Sequence, residues 1–217
     1  MKGRFLVFEG IDGCGKSTQI NQLINWLPTS GLMPQNSVLH VTREPGGTAL
    51  GNALRELLLH PPKEILPGSL SELLLYSADR AQHVLEVITP ALENGDWIIS
   101  DRFSGSTIAY QGYGRELNLD LILQLEKIAT QGLVPDITFW LDLSVEESLD
   151  RRKNTNHDRI ESEGATFLGR VANGFDVLAK ERNWTRVPAN LPKEVVAKKI
   201  KESLSIKITG KRISSNG

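Results

Sequence analysis

Near its N-terminus the chain reads Phe5-Leu-Val-Phe-Glu-Gly10-Ile-Asp-Gly-Cys-Gly15-Lys16-Ser17-Thr18, and this segment determines its architecture. It begins with an apolar run typical of a buried strand, continues with the pattern G-x-x-x-x-G-K-[ST], and leads into a helical pattern. A strand, a glycine-rich loop that wraps an anion, and a helix whose positive end faces that anion make a phosphate-binding loop. The alternative, a glycine-rich turn that binds nothing, leaves the flanking strand and helix unexplained.

The residue types of the loop indicate its chemistry. Glycines allow backbone N–H groups to surround phosphate oxygens closely. Lys16 is expected to reach the β- and γ-phosphates, and the Ser17 hydroxyl is expected to bind Mg²⁺. The sequence therefore predicts a site for a nucleoside triphosphate with magnesium. The residues expected to contact this nucleotide are Gly10, Ile11, Asp12, Gly13, Cys14, Gly15, Lys16, Ser17 and Thr18.

Cys14 is the single cysteine of the chain and lies inside this loop. A helix N-terminus and a nearby lysine favour the thiolate, so one hypothesis is that a thiol reagent inactivates the protein. The alternative, which we prefer, is a small side chain that fits the loop. A single cysteine also excludes an internal disulfide and gives no zinc-binding pattern.

The composition limits the class of protein. The 217 residues carry 25 Lys and Arg against 26 Asp and Glu, a net charge of −1 that does not favour a nucleic-acid partner. No apolar run is long enough to span a membrane, and the N-terminus lacks the apolar region of a signal peptide. We therefore expect a cytoplasmic protein with no membrane partner. A single domain is predicted over residues 1–208, followed by a disordered tail at 209–217.

Apolar runs alternate with helical patterns along the chain. Strands are predicted at 4–9, 37–42, 97–101, 137–142 and 185–188. Helices are predicted at 16–27, 48–59, 69–94 (with a kink or restart at Pro90), 120–131, 145–153, 165–184 and 193–204. This alternation predicts a three-layer α/β fold, in which about five parallel strands lie between helices on both faces. Right-handed crossovers bring the loops that follow the strands to one edge of the sheet.

The second predicted strand is followed by Thr42-Arg-Glu-Pro-Gly-Gly-Thr48. Pro-Gly-Gly predicts a tight turn, for which a cis bond at Glu44–Pro45 is available, and the turn aims Arg43 and Glu44 at the sheet edge. The alternative is an exposed turn with a surface ion pair. Arg55, in the next helix, carries little weight alone.

Tyr76, Arg80 and His83 share one face of the third helix, because they lie at i, i+4 and i+7. An aromatic plane beside a guanidinium suits a planar heterocycle: one stacks and the other donates to an exocyclic oxygen. The alternative, which the residue types alone favour, places Tyr76 in the core and Arg80 on the surface.

The third predicted strand ends in Asp101, where an acidic residue opposite the loop is expected to hold Mg²⁺ through water. Arg102 can bridge two phosphates, and the polar patch Ser106-Thr-Ile-Ala-Tyr110-Gln111 follows at a helix start. Basic residues around a polar stretch at about 151–160 predict a short lid whose cations neutralise a transferring phosphoryl group. The alternative is an exposed helix–loop–helix with solvated charges.

Together, these motifs resemble the thymidylate kinase family of the bacterial type, which has a P-loop NTPase-type fold. The resemblance extends to about residue 161, fades beyond 165, and implies that the chain phosphorylates dTMP to dTDP with ATP and Mg²⁺, as a homodimer. The matching strings are Glu9-Gly-Ile-Asp-Gly-Cys-Gly-Lys-Ser-Thr18, Thr42-Arg-Glu-Pro-Gly-Gly-Thr48, Ala78-Asp-Arg-Ala-Gln-His83, Ser100-Asp-Arg-Phe103, Ala109-Tyr-Gln111 and Asp158-Arg-Ile-Glu161.

The resemblance also implies roles for single residues. Arg55 and Arg102 would clamp the acceptor phosphate. Tyr76 would stack on thymine, Arg80 would donate to its O4, and Tyr110 would disfavour a ribose 2′-hydroxyl. The residues expected to bind dTMP are Asp12, Glu44, Arg55, Tyr76, Arg80, Arg102, Ser106, Thr107, Tyr110 and Gln111, and the residues expected to hold the metal are Ser17 and Asp101.

Two features depart from the family pattern. One subtype has an arginine within the phosphate loop, where this chain has Gly13, and the other subtype takes its catalytic cations from the lid. The lid here is short and reads Asn154-Thr-Asn-His instead of being rich in arginine. The candidate catalytic residues are Lys16, Arg102, Arg151, Lys153 and Arg159.

Two other functions remain open from the sequence. A kinase for another nucleoside monophosphate or a small metabolite could use the same scaffold, because a fold does not decide the acceptor. A nucleotide-dependent switch would bind without transferring a phosphoryl group. The chain has no Asn-Lys-x-Asp guanine motif, and this absence favours ATP over GTP.

Overall fold

The computed structural model describes residues 3–62, 64–153, 158–160 and 163–210. Five strands form one sheet in the order β2-β3-β1-β4-β5. Their bounds are β1 (Arg4–Glu9), β2 (Leu39–Arg43), β3 (Trp97–Asp101), β4 (Ile137–Asp142) and β5 (Thr185–Pro188). All four neighbouring pairs are parallel, as the strand–helix alternation predicts. Only β2 is displaced, since it begins two residues later than predicted and includes Arg43.

The helices also follow most of the predicted pattern. Their bounds are α1 (Lys16–Trp26), α2 (Ala49–Leu59), α3 (Ser69–His83), α4 (Thr89–Glu93), α5 (Ser104–Thr107), α6 (Leu119–Thr130), α7 (Val145–Arg152), α8 (Ala165–Glu181) and α9 (Lys193–Thr209). The helix predicted at 69–94 passes through a π-helical turn, Val84–Ile88, and restarts as α4 with Pro90 in its first turn. A second π-helical segment, Ile108–Gly114, continues α5.

The C-terminal helix is longer than predicted. α9 continues to Thr209, five residues beyond the predicted end, and Gly210 closes it in a left-handed conformation with φ of 70°. Thr209 was expected in the polar tail, but its hydroxyl donates to the backbone oxygen of Ser205 one turn earlier. The rest of the predicted tail, 211–217, lies outside the described residues.

β1 occupies the middle of the sheet, and its side chains show why helices cover both faces. Leu6 and Phe8 are fully buried on one face, in a core that includes Leu23 of α1. Phe5 and Val7 are buried on the other face, in a separate core formed with the segment that follows α3. A central strand buried on both sides reads as a continuous apolar run, which is what the sequence shows.

The parallel arrangement positions the functional residues. Because all strands run the same way, their carboxyl ends meet at one edge, where open α/β sheets bind ligands. β1 is followed there by the phosphate loop, β2 by the turn that begins at Glu44, and β3 by Arg102. Among the helices of the described residues, none has the length and apolar character needed to cross a membrane.

Candidate active site

The phosphate loop adopts backbone conformations that only glycine takes easily. Gly10 and Gly13 have φ of 138° and 77°, and a Cβ atom on Gly10 would lie 2.7 Å from the backbone oxygen of Leu141. α1 begins immediately after Gly15, so its N-terminal amides face the loop. The ammonium of Lys16 lies inside the loop and donates to the backbone oxygen of Gly10 at 3.2 Å. The loop therefore has the geometry of an anion cradle.

Ser17 and Asp101 come together across the sheet edge, as predicted. The Ser17 hydroxyl donates to Asp101 Oδ2 at 3.3 Å, while Asp101 Oδ1 is buried and bonded to no described residue. Within the described residues, no group of three or more His, Cys, Asp or Glu could hold a metal by itself. One hydroxyl and one carboxylate beside a phosphate cradle fit Mg²⁺, which takes few protein ligands and completes its shell with phosphate and water.

Cys14 is a buried loop residue, and the thiolate hypothesis is wrong. Its side chain is 2% exposed, and burial raises the pKa of the thiol, outweighing the nearby ammonium of Lys16. A thiol that is both buried and protonated is a poor nucleophile. The preferred alternative, a small side chain that fits the loop, agrees with this geometry.

Arg102 occupies the centre of the site. It has φ of 73°, a left-handed conformation that residues other than glycine rarely adopt. Its guanidinium donates to Asp12 Oδ1 at 2.5 Å and to Ser106 Oγ at 2.9 Å, and it also reaches the backbone oxygen of Gly10 at 3.0 Å. Burial acts to lower the pKa of Arg102, but Asp12 and the other anions outweigh it and hold the pKa well above its usual value.

Asp12 is the anion of this group and has two donors. Besides Arg102, the hydroxyl of Tyr110 donates to its other oxygen at 2.8 Å. Burial acts to raise the pKa of Asp12, but Arg102 and Lys16 outweigh it and hold the pKa below its usual value. Burial also raises the pKa of Tyr110, which therefore remains a hydroxyl donor at neutral pH. The resulting carboxylate is fixed in place and charged.

The turn after β2 buries the side chain of Glu44. It does not form the exposed turn with a surface ion pair that was the alternative from the sequence. The Glu44–Pro45 bond is cis, and the Glu44 carboxylate is 3% exposed. It accepts from Arg80 Nε at 2.8 Å and lies 2.8 Å from His83 Nδ1. Both alternatives considered from the sequence, an exposed Glu44 and a surface Arg80, are therefore wrong. Tyr76 is half-buried, while Arg43 is exposed.

These side chains enclose a pocket, here called the inner pocket. It contains every residue predicted from the resemblance to bind dTMP. Its lining consists of Asp12, Glu44, Pro45, Arg55, Leu59, Tyr76, Arg80, Arg102, Phe103, Ser106, Thr107, Tyr110, Gln111, Asp158 and Ile160. Three aromatic side chains lie among a majority of charged and polar ones, a combination that suits a ligand with both a planar ring and charged groups.

A second pocket, here called the loop pocket, lies along the phosphate loop. It contains six of the nine residues predicted to contact the triphosphate; Gly10, Ile11 and Cys14 do not line it. Its lining consists of Asp12, Gly13, Gly15, Lys16, Ser17, Thr18, Arg43, Glu44, Arg55, Asp101 and Arg102. The two pockets share Asp12, Glu44, Arg55 and Arg102. A ligand in one pocket would therefore meet a ligand in the other at these four residues.

The junction of the two pockets carries excess positive charge. Arg43 and Arg55 have no carboxylate within ion-pair distance among the described residues, and Arg55 donates only to the backbone oxygen of Pro45 at 2.8 Å. Burial and the neighbouring guanidinium of Arg43 lower the pKa of Arg55. Uncompensated arginines at a pocket junction favour an anionic ligand there.

The structure brings one of the three predicted lid cations to the phosphate loop. Arg151 donates to the backbone oxygen of Gly13 at 3.3 Å. Lys153 points to solvent and pairs with Asp150, and Arg159 is bound to the backbone oxygen of Leu58 and to the carboxylate of Glu72. Residues 154–157 of the predicted lid lie outside the described residues.

Two buried charged residues were missed by the sequence reasoning. Arg152 is 5% exposed, and its Cγ would lie 3.1 Å from a Cβ atom on Gly13, so its stem fills the space beside the loop. Glu72 is fully buried beside the inner pocket and binds Gln111, Arg115 and Arg159. Arg152 was missed because it lies in a run of basic residues, which is typical of an exposed surface. For Glu72 the only signal in the sequence was its position one helical turn before Tyr76.

Comparison with known proteins identifies the family of this chain. The family model described as thymidylate kinase matches residues 8–200. The thymidylate kinase of Prochlorococcus marinus strain MIT 9303 is 66% identical over 204 residues, which cover 94% of this chain and 94% of that protein. The thymidylate kinase of Synechococcus sp. strain WH7803 is 67% identical over 196 residues, covering 90% and 92% of the two chains. The chain therefore belongs to the thymidylate kinase family, whose members are nucleoside monophosphate kinases that use ATP as phosphate donor.

Proposed function

We propose that this chain transfers the γ-phosphoryl group of ATP to dTMP, giving ADP and dTDP. The observation that carries the proposal is the junction at which the loop pocket and the inner pocket share four charged residues. Two nucleotides bound with their phosphates at this junction would meet end to end. The names of the relatives and the family support thymidylate as the acceptor.

The loop pocket would hold ATP. Backbone amides of the loop and the N-terminus of α1 would receive the donor phosphates, with the ammonium of Lys16 between them. Ser17 and Asp101 would hold Mg²⁺, which when bound neutralises and orients phosphate oxygens. Arg151, which already contacts the loop backbone, is the lid cation best placed to approach the transferring group.

The inner pocket would hold dTMP. Tyr76 and Phe103 offer aromatic surface for the base, and Arg80 is fixed by Glu44 beside them. Tyr110, whose hydroxyl is bound to Asp12, would lie beside the sugar and restrict a 2′-hydroxyl. Arg55 and Arg102 would bind the acceptor phosphate at the junction, where burial strengthens charge-assisted hydrogen bonds.

The reaction needs positioning more than proton transfer. The attacking oxygen belongs to the dTMP phosphate and is already anionic, so no strong general base is required. The barrier is lowered by aligning the oxygen with the γ-phosphorus and by placing cations where negative charge moves. Four described cations line the loop pocket at or near the junction: Lys16, Arg43, Arg55 and Arg102.

A panel assay tests the proposal. The purified chain is given ATP, Mg²⁺ and, in turn, dTMP, dUMP, dCMP, dAMP, dGMP and UMP, and ADP release is measured with each acceptor. We expect the highest kcat/KM with dTMP. A higher kcat/KM with another acceptor would assign a different kinase, and ADP release that no acceptor accelerates would indicate a nucleotide switch or an ATPase.

We further infer that the chain forms a homodimer, as the resemblance implies. Leu70 and Leu74 lie one turn apart on α3, are about half exposed, and are candidates for the contact. Light scattering tests this, and Leu74→Glu is expected to shift a dimer toward monomer. The cytoplasmic location and the single-domain organisation also stay predictions, tested by cell fractionation and by limited proteolysis.

A further inference from the structure

Glu72 is a buried carboxylate that lies behind the inner pocket and does not line it. Its side chain is fully buried in α3. It accepts from Gln111 Nε2 at 2.7 Å and from Arg115 Nη2 at 3.2 Å, and it is also bound by Arg159. A buried carboxylate with this many donors has no freedom to move.

This arrangement determines which end of the Gln111 amide faces the pocket. A carboxylate between two arginines only accepts hydrogen bonds, so it selects the NH₂ end of the amide. Gln111 is 2% exposed and lines the inner pocket. Its Oε1 accepts no hydrogen bond from a described residue and is available to a ligand there. Glu72 thus makes Gln111 a hydrogen-bond acceptor for whatever occupies the pocket.

Arg80 supplies the opposite polarity on the same pocket. Its Nε is bound to Glu44 at 2.8 Å, and its Nη2 donates to the backbone oxygen of Phe103 at 3.1 Å. Its Nη1 bonds to no described residue and is accessible to a ligand. Because a guanidinium has no acceptor, the pocket offers donors from Arg80 and an acceptor from Gln111.

Pyrimidine bases differ in the hydrogen-bond donors and acceptors that they present at position 4 and at N3. Thymine and uracil present an acceptor at O4 and a donor at N3–H, whereas cytosine presents a donor at its 4-amino group and an acceptor at N3. We propose that Glu72 is the positioning residue that makes the pocket select a 4-oxo pyrimidine over cytosine, by holding the Gln111 amide in one orientation. This inference rests on the proposed function, since it concerns the acceptor nucleotide.

The pocket cannot adapt to cytosine while Glu72 is present. To donate to N3 of cytosine, the Gln111 amide would have to rotate and place Oε1 against the carboxylate of Glu72. Two acceptors would then face each other in a buried site, where unpaired polar groups are most costly. Cytosine would also place its amino group against the donors of Arg80. Both conflicts exclude the same base.

Glu72→Gln tests the proposal, because the new amide can donate to Gln111 Oε1 and permits the rotation. We expect the ratio of kcat/KM for dTMP over dCMP to fall at least tenfold. The ratio of dTMP over dUMP should stay within twofold, since those two bases share the same O4 and N3–H groups. A general loosening of the pocket would change both ratios.

Arg115→Gln is the matched control. It removes an ion pair from Glu72 and the pair that Arg115 makes with Glu163 at 2.5 Å, but it leaves the carboxylate on Gln111. We expect this variant to keep the dTMP-to-dCMP ratio of the wild type. A change in that ratio as large as that of Glu72→Gln would overturn the proposal. So would a folded Glu72→Gln variant whose ratio stays within twofold of the wild type.

Two further arms keep the test decisive. If Glu72→Gln does not fold, Glu72→Asp takes its place, because it keeps the charge between the arginines but withdraws it from Gln111. The ratio of kcat/KM for dTMP over dCMP should again fall. An unchanged ratio would overturn the proposal. Wild-type protein that forms no dTDP would refute the proposed function alone. The inference would then be decided by calorimetric Kd values for dTMP and dCMP in the same variants.

Discussion

Arg102 holds Asp12 from a backbone conformation that favours glycine. The distance from Arg102 Nη2 to Asp12 Oδ1 is 2.5 Å, and the φ of Arg102 is 73°. A non-glycine residue in this region costs about 1–2 kcal/mol, and such strain persists where the surrounding structure maintains it, often at functional sites. The pair borders both pockets, so the strained arginine places its charge at their junction.

The first prediction separates this strain from the charge. Arg102→Ala and Arg102→Gly should each lower kcat at least about 100-fold, because the loss of a cation at a developing charge costs about 3 kcal/mol. The glycine variant should nevertheless be more stable than the alanine variant by about 1 kcal/mol, since glycine accepts the left-handed conformation. Steady-state kinetics and urea unfolding measure the two effects. Equal stability of the two variants would mean that the backbone is not strained at this position.

The second prediction concerns Tyr76. Truncation to alanine removes an aromatic wall of the inner pocket and should raise KM for dTMP about tenfold, with KM for ATP nearly unchanged. Tyr113→Ala is the matched control, because Tyr113 packs against Gly174 and does not line either pocket. The control should lower Tm without changing KM for dTMP. Equal increases in both KM values for Tyr76→Ala would remove Tyr76 from the acceptor site.

The third prediction follows from Asp79. Burial and the nearby Glu44 raise the pKa of Asp79 to about 6, and its Oδ1 accepts from the backbone N–H of Gly46. Because the pKa is raised in the folded state, the contribution of Asp79 to stability is complete below its unfolded value of 3.8 and is lost as pH rises through 6. Asp79→Asn keeps the acceptor without the charge and should stabilise the protein at pH 8 by up to about 3 kcal/mol.

Urea unfolding at two pH values measures this effect. The difference in unfolding free energy between Asp79→Asn and the wild type should shrink as the pH falls, and should approach zero below pH 3.8, where the wild-type carboxyl becomes protonated in both states. A difference that is the same at pH 4 and pH 8 would show that Asp79 is not the group that titrates.

The fourth prediction is that Cys14 does not react in the folded protein. Its side chain is 2% exposed and the pKa of its thiol is raised by burial, so iodoacetamide at pH 7.5 should not modify it, whereas the same reagent in urea should. Intact mass before and after treatment gives the answer. Stoichiometric native labelling that ATP prevents would restore the reactive-thiolate hypothesis.

Much of the fold is visible in local sequence patterns. β1, β3, β4 and β5 have the predicted bounds. For β1, β3 and β4 the reason is that short apolar runs between helical patterns are buried on both faces of a parallel sheet, whereas β5 is an edge strand in which Val187 is the buried residue. The π-helical turn at Val84–Ile88 was not predicted. A single extra residue per turn leaves the apolar spacing almost unchanged, so the sequence shows only the helix restart at Pro90.

Part of the candidate site could also be predicted from the sequence, and part could not. Residues in compact motifs line one pocket, because a motif fixes both residue type and position at a strand end. Their roles in binding a nucleotide stay predictions. Glu72 and Arg159 could not be paired from the sequence, since they are 87 residues apart and meet only through tertiary packing. The left-handed φ of Arg102 was equally hidden, because the residue type at this position argues against that conformation.

Phosphorus-31 NMR of the protein with ATP, Mg²⁺ and dTMP is the decisive measurement for phosphoryl transfer between the two nucleotides, because it follows the γ-phosphorus itself. We expect the γ resonance of ATP and the resonance of dTMP to decline together, while ADP and dTDP appear in equal amounts without inorganic phosphate. Conversion of ATP to ADP and inorganic phosphate with dTMP unchanged, or no conversion, would contradict transfer between two nucleotides that meet at Asp12 and Arg102.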